Sequence, residues 1–234
     1  MMSEKVIENN RVSVTGEIVP DFTFSHTVRG EGFYMMYMTV NRLSDQVDVI
    51  PLMISERLID VKTDCMGRTA RVTGQFRSYN QYEEGKSRLM LFVFVKEIEF
   101  MESFTNHTKN NQIFLDGYIC KQPIYRKTPF GREITDLLVA VNRPYGESDY
   151  IPCIVWGRNA RYASNFSVGG RIRIWGRVQS REYTKKLGEE ECEKRVAYEV
   201  SVSSLEEVSS GSDSLAEVVT QAVLQKLGAE DKGC

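Results

Sequence analysis

The sequence repeats itself at an offset of 101 residues, which constrains the fold more than any other feature. Asn9-Asn10-Arg11-Val12-Ser13-Val14-Thr15-Gly16-Glu17-Ile18 recurs as Asn110-Asn111-Gln112-Ile113-Phe114-Leu115-Asp116-Gly117-Tyr118-Ile119. At the same offset Thr27 and Gly30 match Thr128 and Gly131, and Val40-Asn41-Arg42 matches Val141-Asn142-Arg143. Asp48, Ile50 and Pro51 match Asp149, Ile151 and Pro152. After one inserted residue Gly67, Gly74 and Ser78 fall on Gly169, Gly176 and Ser180. Two homologous domains follow, residues 1–104 and 105–208, with a linker and tail at 209–234.

Each unit reads as strands. Val12, Val14, Gly16 and Ile18 alternate with polar residues, as do Ile113, Leu115, Gly117 and Ile119. Ile172, Ile174, Gly176 and Val178 alternate likewise, and so do Val196, Tyr198, Val200 and Val202. Phe33–Val40 and Ile134–Val141 are rich in aromatic and β-branched residues. One short helical stretch is expected between the third and fourth strands, at Ser55–Asp64 and again at Arg158–Phe166. Five strands with that helix predict an all-β chain of two tandem five-stranded OB-fold barrels. Gly16, Gly74, Gly117 and Gly176 mark places where a barrel bends or a second backbone comes close. Past the Ser209-Ser210-Gly211-Ser212-Asp213 linker, Ser214-Leu215-Ala216-Glu217 has the form of a capping box. A short C-terminal helix is expected over Ser214–Leu227, docked on its own domains or on a partner.

The formal charge of −2 conceals an uneven distribution. Residues 1–104 carry a net −3, residues 105–208 a net +3 and the tail a net −2. Within Lys121–Lys186 there are 13 basic and 5 acidic side chains. A basic domain inside an acidic chain is the footprint of a phosphate-backbone binder. Strand parity puts Arg171, Arg173, Trp175, Arg177, Gln179, Arg181 and Tyr183 on one face of the fourth strand of domain two. On the third strand Tyr150, Pro152, Ile154 and Trp156 share a face, with Tyr145 just before it. Arg126, Lys127, Arg132, Arg143, Arg158 and Lys185 complete the candidate nucleic-acid contacts. Taken singly, an outward arginine is a solvated charge, Trp156 is packing and Trp175 fits an interface between barrels. The conjunction of guanidinium groups and rings in register suits unpaired nucleic acid, with bases stacked on rings and cations on phosphates. Domain one matches with Thr69, Arg71, Thr73, Gln75, Arg77, Tyr79 and Gln81, and has Ser55 for Trp156, Val49 for Tyr150 and Ser44 for Tyr145. Its expected role is assembly or a weaker extension of the track, with Arg42, Arg71, Arg77, Tyr79 and Tyr82 as sparse contacts.

Domain two resembles the bacterial single-stranded DNA-binding proteins (SSB). The resemblance runs from Asn111–Ile119 through Leu138–Arg143 and Asp149–Ala160 to Val168–Tyr183. It implies OB folds that bind single-stranded DNA without sequence preference, in replication, recombination or repair. It places the family's stacking aromatics on Tyr145, Tyr150, Trp156 and Tyr183. Four barrels make up the family's working assembly, so a chain with two is expected to form a homodimer. The family's tail ends in an acidic tip with a terminal Phe that recruits replication and repair proteins. This sequence ends Glu230-Asp231-Lys232-Gly233-Cys234 without an aromatic, which leaves that route to partners in doubt.

The competing readings are an OB-fold accessory protein of a primosome or recombination complex, and a single-stranded RNA binder. An enzyme is not expected, since no P-loop, G-x-S-x-G or metal-spaced cluster occurs. Five cysteines without C-x-x-C spacing and only two histidines point to free thiols, with no metal and no cofactor. The first residues lack a signal-peptide core, and the longest strongly apolar run is the seven residues Leu89–Val95. A soluble, cytoplasmic, nucleoid-associated protein with no membrane contact is expected.

Overall fold

The computed structural model describes residues 8–44, 46–60, 67–83, 86–102, 109–186 and 192–208. The C-terminal helix expected at Ser214–Leu227 lies outside them. In the first barrel the strands are β1 (Asn10–Val28), β2 (Glu31–Asn41), β3 (Val47–Ser55), β4 (Thr69–Glu83) and β5 (Lys86–Met101). β1 pairs with both β2 and β4, β2 with β3, and β4 with β5, all antiparallel. A short parallel pairing of β3 with β5, Leu52 beside Val93, closes the ring. This is the five-stranded OB topology.

The second barrel repeats that circuit with one more strand. Its elements are β6 (Asn111–Ile119), β7 (Ile124–Lys127), β8 (Glu133–Asn142), β9 (Ser148–Trp156), α1 (Arg158–Ala163), β10 (Arg171–Lys186) and β11 (Cys192–Val208). β6 and β7 together replace the single strand expected there. The break falls at Cys120–Pro123, where Pro123 stands in the place of Phe22 and cannot donate to a ladder. In barrel one the strand continues and absorbs the same bend through register shifts between Val19 and Thr23 and between Phe24 and His26.

The expected helix also differs between the halves. In barrel two it is short, Arg158–Ala163, and buries Ala160 and Ala163. In barrel one Ser55 is the last residue of β3, residues 56–58 turn, and residues 61–64 lie outside the described segments. The in-strand glycines behave as expected from the sequence. A Cβ on Gly16 would collide with the Thr39 carbonyl, and one on Gly74 with the Phe94 carbonyl. Period two fails at one place: Val200 and Val202 are buried, but Val196 is exposed and Tyr198 half-buried. There the β10–β11 arm leaves the barrel: Tyr198 still packs against the edge of the core, and Val196 beyond it has none to face.

The barrels are joined through their first strands. One edge of β1 is divided between two partners, β6 over residues 10–14 and β2 from residue 17 onward. In the β1–β6 ladder Asn10 faces Leu115, Val12 faces Ile113 and Val14 faces Asn111. Val12 faces its own counterpart, and the repeat turns the Asn10–Leu115 pair into the Val14–Asn111 pair, which is a two-fold relation centred on Val12 and Ile113. All eleven strands form one sheet, and the apolar cores of both barrels are contiguous.

Polar clamps flank that ladder in symmetric pairs. The Asn9 amide donates to the Asn142 carbonyl at 2.7 Å, and the Asn110 amide to the Asn41 carbonyl at 2.6 Å. Arg42 forms a two-pronged pair with buried Asp48 and donates to the Ser180 carbonyl at 3.0 Å. Asp48 in turn accepts from the Ser180 amide at 2.8 Å. The mirror set joins Arg143 to buried Asp149 and to the Ser78 carbonyl at 2.9 Å, while the Ser78 amide donates to Asp149 at 2.6 Å. Removing one member of a buried pair leaves the other charge uncompensated. Asp149→Ala and Asp48→Ala should each destabilise the chain by about 3 kcal/mol. Urea unfolding should show lower midpoints for both, and a wild-type midpoint for either would refute the clamp.

Candidate nucleic-acid interface

An open groove of roughly 980 Å³ runs along the joint, where the β10–β11 arm leaves barrel two. Trp156, the last residue of β9, stands on one wall and is 37% exposed. Its neighbour across the ladder is Ile134 of β8, and Ile154 continues the same apolar wall. Arg126 and Arg132, from the two limbs of the β7–β8 hairpin, line one side. Arg177, Gln179 and Arg181 of β10 line the other, with Tyr198, Glu199 and Ser201 of β11. Barrel one contributes Arg42, Val47 and Val49.

The cations are held in different ways. Arg126 pairs with Asp136 at 2.6 Å and Arg181 with Glu199 at 3.3 Å, and both guanidinium groups are about half exposed. The exposed Arg126–Asp136 pair contributes little to stability, so a phosphate competes readily for its donors, whereas the Glu199 partner of Arg181 is buried. Arg132 makes no ion pair among the described residues. Arg177 reaches Asp48 at 3.2 Å and Gln179 at 3.1 Å. Burial and the neighbouring Arg42 push its pKa down, against the pull of Asp48. A partly desolvated guanidinium at the groove floor gains more than a surface one from an incoming anion.

The fifteen residues read from the sequence do not all meet here. Arg126, Arg132, Trp156, Arg177 and Arg181 line the groove. Tyr183 lies in an adjoining cleft of about 310 Å³ with Pro152, Arg195 and Arg88 of barrel one, and Arg181 sits 5.9 Å from its ring centroid. Tyr150 is exposed on the outer face of β9, its amide held by Ser78 at 2.8 Å. Lys127, Arg158 and Lys185 are exposed on β7, at the start of α1 and near the end of β10. Arg143 belongs to the inter-barrel clamp. Arg171 and Arg173 converge on Asp116 at 2.9 and 3.1 Å, and Trp175 packs on Phe114 with centroids 5.3 Å apart. The outward face of β10 is thus divided: its first half lies against β6 and its second half opens on the groove. The side chain of Tyr145 lies outside the described residues.

Four residues at or beside the groove were not among those fifteen. Tyr198 sat in an alternation that reads as core, and burial pushes its phenol up to about 12. Arg42 and Val49 come from the other repeat, and only the register across the joint brings them to the groove. Phe130 is 93% exposed at the tip of the β7–β8 hairpin, between Thr128 and Arg132, which both line the groove. A proline–aromatic–glycine turn between basic strands is the signal that could have found it.

Two closed barrels of this topology, joined edge to edge, define a tandem OB-fold chain. Residues 110–208, which hold the second barrel, match the model of the Single-strand binding protein family. The single-stranded DNA-binding protein of Clostridium tetani is 38% identical over 85 residues, which is 33% of this chain and 59% of that protein. Single-stranded DNA-binding protein A of Bacillus subtilis is 34% identical over 86 residues, covering 34% of this chain and 50% of its own. The chain therefore spans about half the length of such relatives. The crystal structure of the single-stranded DNA-binding protein from Thermus aquaticus superposes with a TM-score of 0.68 at 18% identity, covering 86% of this chain and 93% of that one. It shares the fold.

The Asp116 cluster carries a pH dependence. Burial alone would raise the Asp116 pKa, but hydrogen bonds from Arg171 and Arg173 outweigh it and hold the carboxyl below its usual value. A depressed folded-state pKa contributes stability above the unfolded value, about 3.9, and loses it as pH falls through the folded one. Asp116→Asn should therefore lower the melting temperature at neutral pH. The gap to wild type should close as the pH falls through the depressed Asp116 value, below the usual carboxylate range; a gap that persists in acid would mean the ion pairs are not its source.

Proposed function

We propose that this chain binds single-stranded DNA without sequence preference and coats it during replication, recombination or repair. One observation carries the reading: a stacking indole, Trp156, stands in a groove among five guanidinium groups, with carboxylates only at Glu182 and Glu199 among the lining residues. Rings take bases of any identity, roughly 1–3 kcal/mol each, while guanidinium groups neutralise phosphates. The names of the relatives point the same way. The role is binding rather than catalysis, and the working assembly is a homodimer presenting four barrels to one strand in the cytoplasm. Replication and repair proteins are the partners such a coat would meet.

Binding to oligo-dT should weaken steeply with salt, with a log–log slope near −0.7 for each phosphate neutralised. A flat salt response in a fluorescence titration would remove the cationic groove from the account. Trp156→Ala should weaken binding by about 1–3 kcal/mol, whereas Ser55→Ala, at the matching position of barrel one, should leave it near wild type. Equal losses at the two positions would show that this face of β9 has no special role.

A further inference from the structure

Barrel one looks poor at the position of Trp156, where it has Ser55, but its ring has moved rather than vanished. Ile134 faces Trp156 across the β8–β9 ladder, and Phe33 faces Ser55 across the matching β2–β3 ladder. Large and small residues have changed strands while keeping the same cross-strand site. The cation has moved with the ring. In barrel two Arg177 bonds Gln179 at 3.1 Å, and in barrel one Arg77 bonds Gln75 at 2.8 Å, with arginine and glutamine exchanged. Ser201, beside Arg177 on the ladder, is replaced by Phe94 beside Gln75.

The result is a column of π-systems on the outer surface of barrel one. The His26 and Phe33 rings stack 5.2 Å apart and only 9° from parallel. Phe33 and Phe94 follow at 5.8 Å and 29°, and the Arg77 guanidinium lies 4.0 Å over Phe94. His26 is exposed, and both phenylalanines are partly exposed. The Nε of Arg77 is buried without a hydrogen-bond partner, alone among the described side chains. An under-satisfied cation beside stacked rings matches the two chemistries of a nucleotide, a planar base and an anionic backbone.

We infer that barrel one carries a second stacking site for single-stranded nucleic acid, formed by His26, Phe33 and Phe94 with Arg77. It rests on the function proposed above and extends it to the half of the chain that sequence parity leaves nearly bare. The rings lie on strands β1, β2 and β5, whereas the stacking residue of barrel two lies on its third strand.

Phe33→Trp in a Trp156→Phe, Trp175→Phe background puts the sole indole of the chain in this column. Wild-type protein, titrated with oligo-dT in parallel, reports whether the chain binds single strands at all; no binding there defeats the proposed function and leaves this site without a basis. With wild type binding, the expected result is quenching of the new indole by oligo-dT. Unchanged emission at saturation, in a variant with wild-type melting temperature, overturns the site. Where Phe33→Trp melts early, Phe33→Leu decides, because it keeps apolar volume and removes the ring. A loss of affinity of about five-fold or more supports the site, and a smaller loss overturns it.

Discussion

The structure depends on the antiparallel ladder between β1 and β6. On one edge β1 pairs with β4 of its own barrel over Val12–Glu17, and on the other it pairs with β2 only from Glu17 onward and leaves residues 10–14 to its counterpart. The backbone groups of that short stretch would otherwise face water as an open edge. Their pairing makes one eleven-stranded sheet of two closed circuits. The hydrogen bonds alone do not set the angle between the barrels. The Arg42–Asp48–Ser180 and Arg143–Asp149–Ser78 clamps do, since each fixes a strand end of one barrel to the long hairpin of the other. The groove exists because those hairpins are held in place.

The architecture was legible in the sequence because two weak signals reinforced each other. Alternation alone is ambiguous, but the same alternation at the same offset in both halves leaves little besides two copies of one barrel. What escaped was local. Pro123 split a strand that remains whole in barrel one, and the hairpin beyond Val200 runs off the core and leaves Val196 exposed. Neither departure changes the period of the apolar residues, so the pattern could not show them.

The candidate site was legible in part, for a related reason. Parity placed Trp156 and the arginines of β10 on outer faces, and they are there. It could not show that Arg171 and Arg173 meet a carboxylate 55 and 57 residues away, or that β10 changes surroundings halfway along. Arg143 is the instructive case. Its identity with Arg42 in the repeat carried the answer, because a residue shared by both halves serves what both halves share. Asn9 and Asn110, Asp48 and Asp149, and Ser78 and Ser180 belong to the same interface set. Residues that differ between the halves, Trp156 against Ser55 and Ile134 against Phe33, lie away from the seam, and the larger ring of each pair reaches the surface.

The two-fold ladder lies within one chain, and this changes what dilution can do. Two separate barrels meeting edge to edge would part as their concentration fell. Here the covalent connection between Met101 and Asn111 holds the two edges at an effective concentration on the order of millimolar, whatever the amount of protein. The same tether favours pairing within the chain, so a barrel bearing Trp156 is matched with one bearing Phe33 across this joint. A pair of identical partners must carry every surface change twice. A tethered pair is free to let its two faces specialise while the seam between them stays constant.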